Sequence, residues 1–568
     1  METPKVIDIF CGAGGFSEGF RQAGFEIIQG IDYWEPAIKT FNFNFSLNCS
    51  AKNILDFESS IDEIELLPDT EVIIGSPPCV TFSSSNISGK ADKTSGVTLT
   101  QIFLRIVAVK KWKKGSKLGG WFMENVPSSI KHLGIEYTFE ELGLGEWATE
   151  NKIGRTKVAI KLEGNQKILN SANFGCPQSR ERVISGEIIK RRKVIFPEAL
   201  YSKVPQENLK PWKSVCEIKS HLPKPNSGIE IKLISDPNYP ELKISIIDLT
   251  DQFYDTGLYE SEWKQSKFLK TNHPYMGKMS FPENEDRPSR TITATKIGTS
   301  REAIIYKSEY ERMGNGEYRT PTVREAACIM GFPITYQFLG GEGTKWRLVG
   351  NAVCPTLARS IANQLRKELK WPIFQNPIIQ PCPKENFDFN LNTFLEKEFK
   401  NPPKRNVGSR FRRHPFKDGN ITVTLSNYDI DKNDEVKSIW FTSVQYGNGK
   451  GFPSFHFPDF FYKKIELVIS HYDSGKEFLA IINNGFSEKI GNNTTLQQMY
   501  ENQVSINNLL EPTELIEEIN QIIEKIGVEN QIFEQQDSEV FLNKERVPLS
   551  QLFALYAINK ISTTANSK

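Results

Sequence analysis

The sequence is poor in several things, and each absence closes off a class of protein. No apolar run approaches the length of a membrane span, and the first residues carry no apolar segment of the kind a secretory leader needs. The 8 Cys include no C-x-x-C pair and no His at metal-ligand spacing, which argues against a zinc site and a disulfide framework and fits a reducing cytosol. No charge of one sign dominates. Charged residues make up 24% of the chain yet sum to +1, so any basic surface must be local. At 568 residues the chain exceeds the usual size of one core, so two or three domains are expected, cytoplasmic and without a membrane partner.

What is present is a series of short apolar strands, each ending in a polar or reactive group. Val72-Ile73-Ile74 runs into Gly75-Ser-Pro-Pro-Cys-Val-Thr-Phe-Ser83. Two prolines block helix and ladder alike, which puts Cys79 on a stiff turn at a strand's carboxyl end, where open α/β sheets collect ligands. A small buried Cys is the alternative. Val6 to Phe10 is a strand followed at once by Cys11-Gly12-Ala13-Gly14-Gly15-Phe16, a nucleotide-type turn whose glycines admit a ligand close to the backbone. The spacing is not G-x-G-x-x-G, which speaks against a dinucleotide-dependent dehydrogenase. A second strand, Glu26 to Ile31, ends in Asp32-Tyr33-Trp34. An acid there suits ribose hydroxyls, and Tyr33 or Trp34 an adenine face; otherwise Asp32 caps the helix from Glu35. The alternation continues to Ile73 and predicts a parallel, doubly wound sheet.

After Cys79 a polar loop from Ser83 to Gly96 reads as a lid, with Lys90 and Lys93 available for phosphates. The strand Gly120 to Met123 ends in Glu124-Asn125-Val126-Pro127, and a carboxyl group beside an apolar strand costs desolvation unless it is used. Gln178, Arg180 and Arg182 alternate at period two. On a strand they would share a face and converge on an anionic or carbonyl-rich ligand.

Together these pieces resemble the DNA (cytosine-5)-methyltransferase family of the bacterial restriction-modification type, over roughly residues 4–366. Asp8-Ile-Phe10-Cys-Gly12-Ala-Gly14-Gly15 looks like its first cofactor motif, Gly75 to Ser83 like its Pro-Cys nucleophile motif, and Glu124-Asn125-Val126 like its Glu-Asn-Val motif. Gln178-Ser-Arg180-Glu-Arg182 looks like the Gln-x-Arg-x-Arg motif, and Arg287 to Ile292, Arg324 to Pro333 and Gly350-Asn351-Ala352-Val353 like the later ones. Two positions depart from the pattern. Val80 stands where many members carry Gln, and Asn53, in Ala51-Lys-Asn53-Ile54, where an acid is usual.

The resemblance implies a Rossmann-like, S-adenosyl-L-methionine-dependent fold and a DNA (cytosine-5-)-methyltransferase activity on duplex DNA. Cytosine carbon 5 is a poor nucleophile, and adding a thiolate at carbon 6 turns the ring into an enamine. A free thiol with a pKa of about 8.5 must be helped to ionise. The implied roles are Cys79 as nucleophile, Glu124 as donor to ring nitrogen 3, Arg182 with Arg180 in support at oxygen 2, and Asn125 holding the loop around Glu124. The positions implied for the cofactor are Asp8, Phe10, Gly12, Gly14, Gly15, Phe16, Asp32, Tyr33, Asn53, Ile54, Pro78, Asn351 and Ala352; no metal is implied. A base within a duplex cannot reach Cys79, so the target must be flipped out, with Ser84 to Thr100 as lid. A tRNA cytosine methyltransferase and a DNA-binding module with an inactive site are the alternatives. A cognate restriction or defence component is the implied protein partner.

The expected organisation is α/β: a catalytic core over residues 1–186, a small target-recognition region over 187–286 and closing motifs over 287–370. A proline-rich linker over 371–400 and a C-terminal α+β domain over 401–568 complete it. Within the recognition segment, Lys190-Arg191-Arg192-Lys193 suits phosphates and Thr271-Asn272-His273 suits base edges. In the tail, Ile421 to Leu425, Ile439 to Tyr446, Ile465 to Ser470 and Phe478 to Ile482 read as strands, the last two joined by a hairpin at Asp473-Ser-Gly475. Leu515 to Ile526 stripes a helix. Lys404-Arg405 and Arg410 to His414 form a basic patch, and Asp459 with Glu466 hints at a metal-nuclease core that lacks its Lys at Val468.

Overall fold

The structure, a computed structural model, describes residues 3–78, 93–204, 206–225, 233–251, 253, 257–258, 260–272, 277–296, 298, 300–309, 316–381, 413–418, 421–427, 440–446, 454–502, 504–528, 531–534 and 546–568. It divides into two compact units, Met1–Pro402 and Pro403–Lys568.

The first unit is built on one sheet. Its strands are β1 (Lys5–Ile9), β2 (Glu26–Ile31), β3 (Val72–Gly75), β4 (Gly120–Asn125), β5 (Gln166–Asn170) and β6 (Glu181–Ile188), in the spatial order β2-β1-β3-β4-β6-β5. The first four are parallel, whereas β6 runs antiparallel to both β4 and β5. The parallel sheet read from the sequence therefore holds to β4 and is closed on one side by an antiparallel pair. Side chains alternate between the faces at period two. Val6, Val72, Ile74, Phe122 and Ile184 join one core with the helices α1 (Gly15–Gln22) and α2 (Glu35–Phe45). Ile7, Ile9, Ile73, Trp121 and Met123 join the other with α3 (Lys93–Trp112). Both faces are covered, which is why these strands read as continuous apolar runs. The strand order turns back between β1 and β3, so a crevice opens at their carboxyl ends.

Four expectations are corrected here. Gln178 and Arg180 precede β6, which starts at Glu181, so they do not share a strand face with Arg182. Residues 93–100 of the expected lid belong to α3, while Cys79 and the loop to Asp92 lie outside the described residues, as does His273. Residues 187 and 188 still belong to β6, inside the core sheet. The turn Lys190-Arg191-Arg192-Lys193 follows β6 at the amino-terminal edge of the parallel strands, because Ile188 pairs with Gly120 and the Ile189 amide donates to the Gly119 carbonyl at 2.9 Å.

The later segments wrap back over the first strands. The helices α4 (Val323–Ile329), α5 (Glu342–Asn351) and α6 (Pro355–Leu369) pack beside α1 and α2 in one core. Asp251 is tied to α4 by Arg324, a buried pair with Nη2–Oδ1 at 2.6 Å and Nε–Oδ2 at 3.1 Å. Beyond α6 the chain stays on this unit. Ile378 donates its amide to the Gln22 carbonyl at 2.9 Å, and Arg21 donates to the Gln380 side chain at 3.0 Å.

The second unit has a four-stranded antiparallel sheet, β7 (Arg413–Asp418), β8 (Ile421–Ser426), β9 (Phe441–Tyr446) and β10 (Ser454–Phe455), with helices over it. The strands expected at Ile465 to Ser470 and Phe478 to Ile482 are helical instead, within α7 (Asp459–Ser470) and α8 (Asp473–Ile481) and the turn after it. Phe461, Ile465 and Ile469 recur at helical spacing, and that period outweighs the short apolar runs. The expected hairpin at Asp473 is the start of α8. Asp459 and Glu466 thus share one helix, and Glu466 accepts from the Tyr556 hydroxyl at 3.1 Å. Among the described residues no group of three or more His, Cys, Asp or Glu is placed to hold a metal. The helix read from Leu515 to Ile526 is α10 (Pro512–Ile526), following α9 (Asn493–Asn502) and closed by Gly527 at φ 74°. Lys404 to Arg412 lie outside the described residues.

Candidate active site

The crevice at the carboxyl ends of β1 to β4 gathers most of the residues expected to act. β1 ends with Phe10 in the left-handed region (φ 60°), followed by Gly12 (φ 52°) and Gly14 (φ 88°). A Phe there costs about 1 kcal/mol or more and persists only where its surroundings hold it. Several groups do so. The Ser76 hydroxyl donates to the Phe10 carbonyl at 3.1 Å, Cys11 donates its amide to the Ile31 carbonyl at 3.1 Å, and the Tyr336 hydroxyl donates to the Ala13 carbonyl. Gly15 is needed for a different reason. A Cβ there would stand 2.2 Å from the Val353 carbonyl oxygen, so only glycine lets α1 begin against residues 352–353.

Asp32 links the ends of β1 and β2. Its Oδ2 accepts from the Gly12 amide at 3.0 Å and its Oδ1 from the Trp34 amide at 2.9 Å. It braces the glycine turn and does not cap α2 through its side chain, since the N-cap there is Trp34. Burial raises its carboxyl above the ordinary range, against the backbone amides of Trp34, Gly12 and Tyr33, which favour the anion. Tyr33 is exposed, while Trp34 lies under the Arg347 guanidinium at 4.5 Å. Lys52 donates its amide to the Asp32 carbonyl at 2.9 Å, which brings Asn53 and Ile54 alongside; the Asn53 side chain accepts from the Leu55 amide at 3.1 Å.

Two cofactor candidates sit deeper than expected. Phe16 is core, edge-on to Phe20. Asp8 is fully buried beneath the turn, its Oδ2 accepting from the Ser17 hydroxyl at 2.6 Å and its Oδ1 without a partner among the described residues. Loss of hydration pushes its carboxyl up to about 8; the Ser17 hydroxyl opposes this and the Asp32 charge adds to it.

Across the crevice, β4 delivers Glu124 and β6 delivers Arg182. The register Glu124↔Ile184 and Asn125↔Val183 sets them side by side, and Arg182 Nε lies 2.8 Å from Glu124 Oε1, both nearly buried. Arg182 Nη1 donates to the Glu181 carbonyl at 2.7 Å. Asn125 reaches from β4 to the Pro77-Pro78 turn, donating to the Pro77 carbonyl at 3.4 Å while its Oδ1 accepts from the Val126 amide at 2.8 Å. Glu124 and the Pro77-Pro78 turn are thus joined through one amide side chain.

Arg180 reaches the closing segments. Its guanidinium donates to the carbonyls of Ile292 (3.1 Å), Gly350 (3.2 Å) and Ala352 (3.2 Å). Gln178 is buried against the same segments, its Oε1 accepting from the Ile292 amide at 3.3 Å. These two clamp the closing motifs so that Ala352 and Val353 stand against the start of α1.

The model of the C-5 cytosine-specific DNA methylase family matches residues 4–367. The chain belongs to that family. It is a DNA cytosine-5-methyltransferase, and its methyl donor is S-adenosyl-L-methionine. Among curated relatives, the type II methyltransferase M1.HphI of Haemophilus parahaemolyticus is 28% identical over 378 residues, covering 64% of this chain and 86% of its own. The type II methyltransferase M.HgiDI of Herpetosiphon aurantiacus is 26% identical over 391 residues, covering 66% and 99%. Among solved structures, the S. pombe Dnmt2 methyltransferase aligns with a TM-score of 0.38 at 17% identity, covering 65% of this chain and 100% of that one.

The crevice of this family member fits its methyl donor. Gly12 has open space where a Cβ would stand, the Asp32 carboxylate borders it, and the Tyr33 ring is exposed beside it. The reading of the sequence missed Tyr336 and Ser76, which hold the glycine turn, and Arg347 over Trp34. Nothing local marks Tyr336 or Arg347, since both act on residues some 300 positions earlier. The membership covers the first unit only. Among the described residues no helix is long and apolar enough to cross a membrane.

Proposed function

We propose that this methyltransferase acts on a cytosine flipped out of duplex DNA, through a transient bond between Cys79 and carbon 6, as the protective half of a restriction or phage-defence system. The observation that carries the proposal is the 2.8 Å Glu124–Arg182 pair, set beside the Pro77-Pro78 turn that leads into Cys79 and joined to it by Asn125. As the thiolate adds to carbon 6, negative charge builds on ring nitrogen 3 and oxygen 2. The Glu124 carboxyl donates a proton to nitrogen 3, and the Arg182 guanidinium faces oxygen 2, the logic of a preorganised oxyanion site. Arg180 is a positioning residue in this scheme: it fixes the main chain on which Asn351 and Ala352 stand. When bound, S-adenosyl-L-methionine supplies a sulfonium methyl for carbon 5. Asp8, Phe10, Gly12, Gly14, Gly15 and Phe16 shape the turn that receives it, with Asp32, Tyr33, Asn53, Ile54 and Pro78 around the rim. Removal of the carbon 5 proton then expels the Cys79 thiolate, and nitrogen 3 returns its proton to Glu124, which restores the ring. Unpairing the target costs a few kcal/mol. Sequence choice is assigned to residues 187–286, less the end of β6 and the turn through Lys193, which lie at the amino-terminal edge of the sheet.

The test is a duplex whose target cytosines carry fluorine at carbon 5, which leaves no proton to remove. Denatured gels should show a protein–DNA adduct whose tryptic peptide contains Cys79, and Cys79→Ser should form none. If cytosines are methylated but no adduct survives at Cys79, the covalent route is wrong.

A further inference from the structure

The amino-terminal end of the sheet, opposite the catalytic crevice, collects cations that the methyl-transfer chemistry does not use. Three segments meet there. The return from α3 to β4 carries Lys114 and Lys117, the turn after β6 carries Lys190, Arg192 and Lys193, and Lys370 closes α6. The Ile189 amide bonds the Gly119 carbonyl at 2.9 Å, Arg191 pairs with Glu368 of α6 at 3.1 Å, and a Cβ on Gly119 would touch Leu369 and Trp371. The three segments are therefore one surface.

Those six cations are exposed, and none has a carboxylate partner among the described residues. Three acids at this end already have a cation: Asp69 binds Lys110 and Lys113, Glu187 binds Lys111 at 2.7 Å, and Glu368 binds Arg191. Glu71 accepts only the neutral Lys5 amide at 2.7 Å, so its charge offsets one of the six. Lysines at helix ends ordinarily balance the helix dipole, but the carboxyl ends of α3 and α6 together amount to only about one negative charge. That leaves several positive charges uncompensated. Among the described residues, Lys114 to Gly119 and Lys190 to Lys193 carry no large exposed apolar side chain, while Ile373 and Phe374 follow just past Lys370, so the surface is cationic over most of its extent. It has what a polyanion needs.

We propose that this basic end is a second, sequence-independent DNA-binding surface, which holds a duplex segment other than the one being methylated. The inference rests on DNA as the substrate and not on the route through Cys79. Gly120 to Glu124 is four steps along β4, about 13 Å at roughly 3.3 Å per residue, so the surface lies at least that far behind Glu124 and faces away from it. One straight duplex cannot meet both ends. The protein would instead bridge two segments and pass between them, a transfer that shortens the search for target sites.

The experiment uses the full chain and two duplexes of unrelated sequence, one immobilised and one labelled. The wild type should retain the labelled duplex on the immobilised one. The variant K117A/K190A/R192A/K193A should lose at least tenfold of that capture, and its binding to free duplex should show a salt slope shallower by about 0.9 for each phosphate it no longer neutralises. Its rate of methylating short duplex fragments should stay within about twofold of wild type, which also reports that it folds; R192A/K193A serves as a milder version with an intermediate slope. Cys79→Ser should bridge as the wild type does, so failure of the covalent proposal leaves this one standing. No capture by the wild type, or undiminished capture by the variant, overturns it; the latter would mean bridging by paired protein copies.

Discussion

Replacing Asp8 by Asn tests the electrostatics beneath the glycine turn. The Asp8 carboxyl is fully buried, receives the Ser17 hydroxyl at 2.6 Å, and has an ordinary value of 3.8 raised to about 8 by loss of hydration. Between those two values the folded protein keeps a proton that the unfolded chain has released. Stability therefore falls as pH rises through this window, is least affected below about 4, and levels off above about 8. Asn does not titrate, so D8N removes that slope. The advantage of D8N over wild type should grow by about 1.4 kcal/mol per pH unit, or about 3 kcal/mol between pH 5.5 and pH 7.5. An amide proton left without an acceptor where Oδ1 now stands costs about 1–3 kcal/mol, but equally at both pH values. The difference between the two pH values is thus the quantity to read, from urea unfolding followed by tryptophan fluorescence. Other titrating groups cancel between the two proteins. A wild-type-minus-variant difference that stays flat from pH 5.5 to pH 7.5 would refute the assignment of a neutral carboxyl at this position.

Three further substitutions probe other parts of the crevice and its frame. Gly15→Ala forces a methyl group to within 2.2 Å of the Val353 carbonyl, so it should destabilise the first unit by about 3 kcal/mol and abolish cofactor binding by calorimetry. Normal binding would show that α1 can shift at no cost. Asp251→Ala strands the buried Arg324 guanidinium and should cost about 4 kcal/mol in urea, whereas a loss under about 1 kcal/mol would mean water reaches the pair. Glu124→Gln should slow turnover at least about a hundredfold with cofactor affinity unchanged, and an unaltered rate would end its role as proton donor.

Much of the crevice was legible because its signals are local. A strand, a glycine turn and a helix start lie within a short stretch at Lys5 to Gln22, and proline at 77 and 78 stops β3 whatever the rest of the chain does. Glu124 was visible as a carboxyl group on an apolar strand. That it pairs with Arg182 was not visible, since the pairing depends on the register of β4 against β6. The period-two reading of Gln178, Arg180 and Arg182 failed because the strand begins one residue after Arg180. Gln178 and Arg180 are thus free to turn inward and hold Ile292, Gly350 and Ala352. In the second unit, the short apolar runs at Ile465 and Phe478 fit strand and helix alike, and the strand reading passed over the helical spacing of Phe461, Ile465 and Ile469, whose packing in the core the structure shows.

By itself, then, the order of residues determined which chemistry the first unit carries, for motifs of a few residues need only their own backbone to take shape. The tertiary structure decided which side chains meet. Tyr336 reaches the glycine turn from more than 300 residues away, Arg180 holds the closing segments, and six cations gather at the sheet's far end. Such meetings are set by strand register and by the direction of β6, which a linear pattern leaves open. They are long-range because burying both faces of one sheet requires segments from either end of the unit.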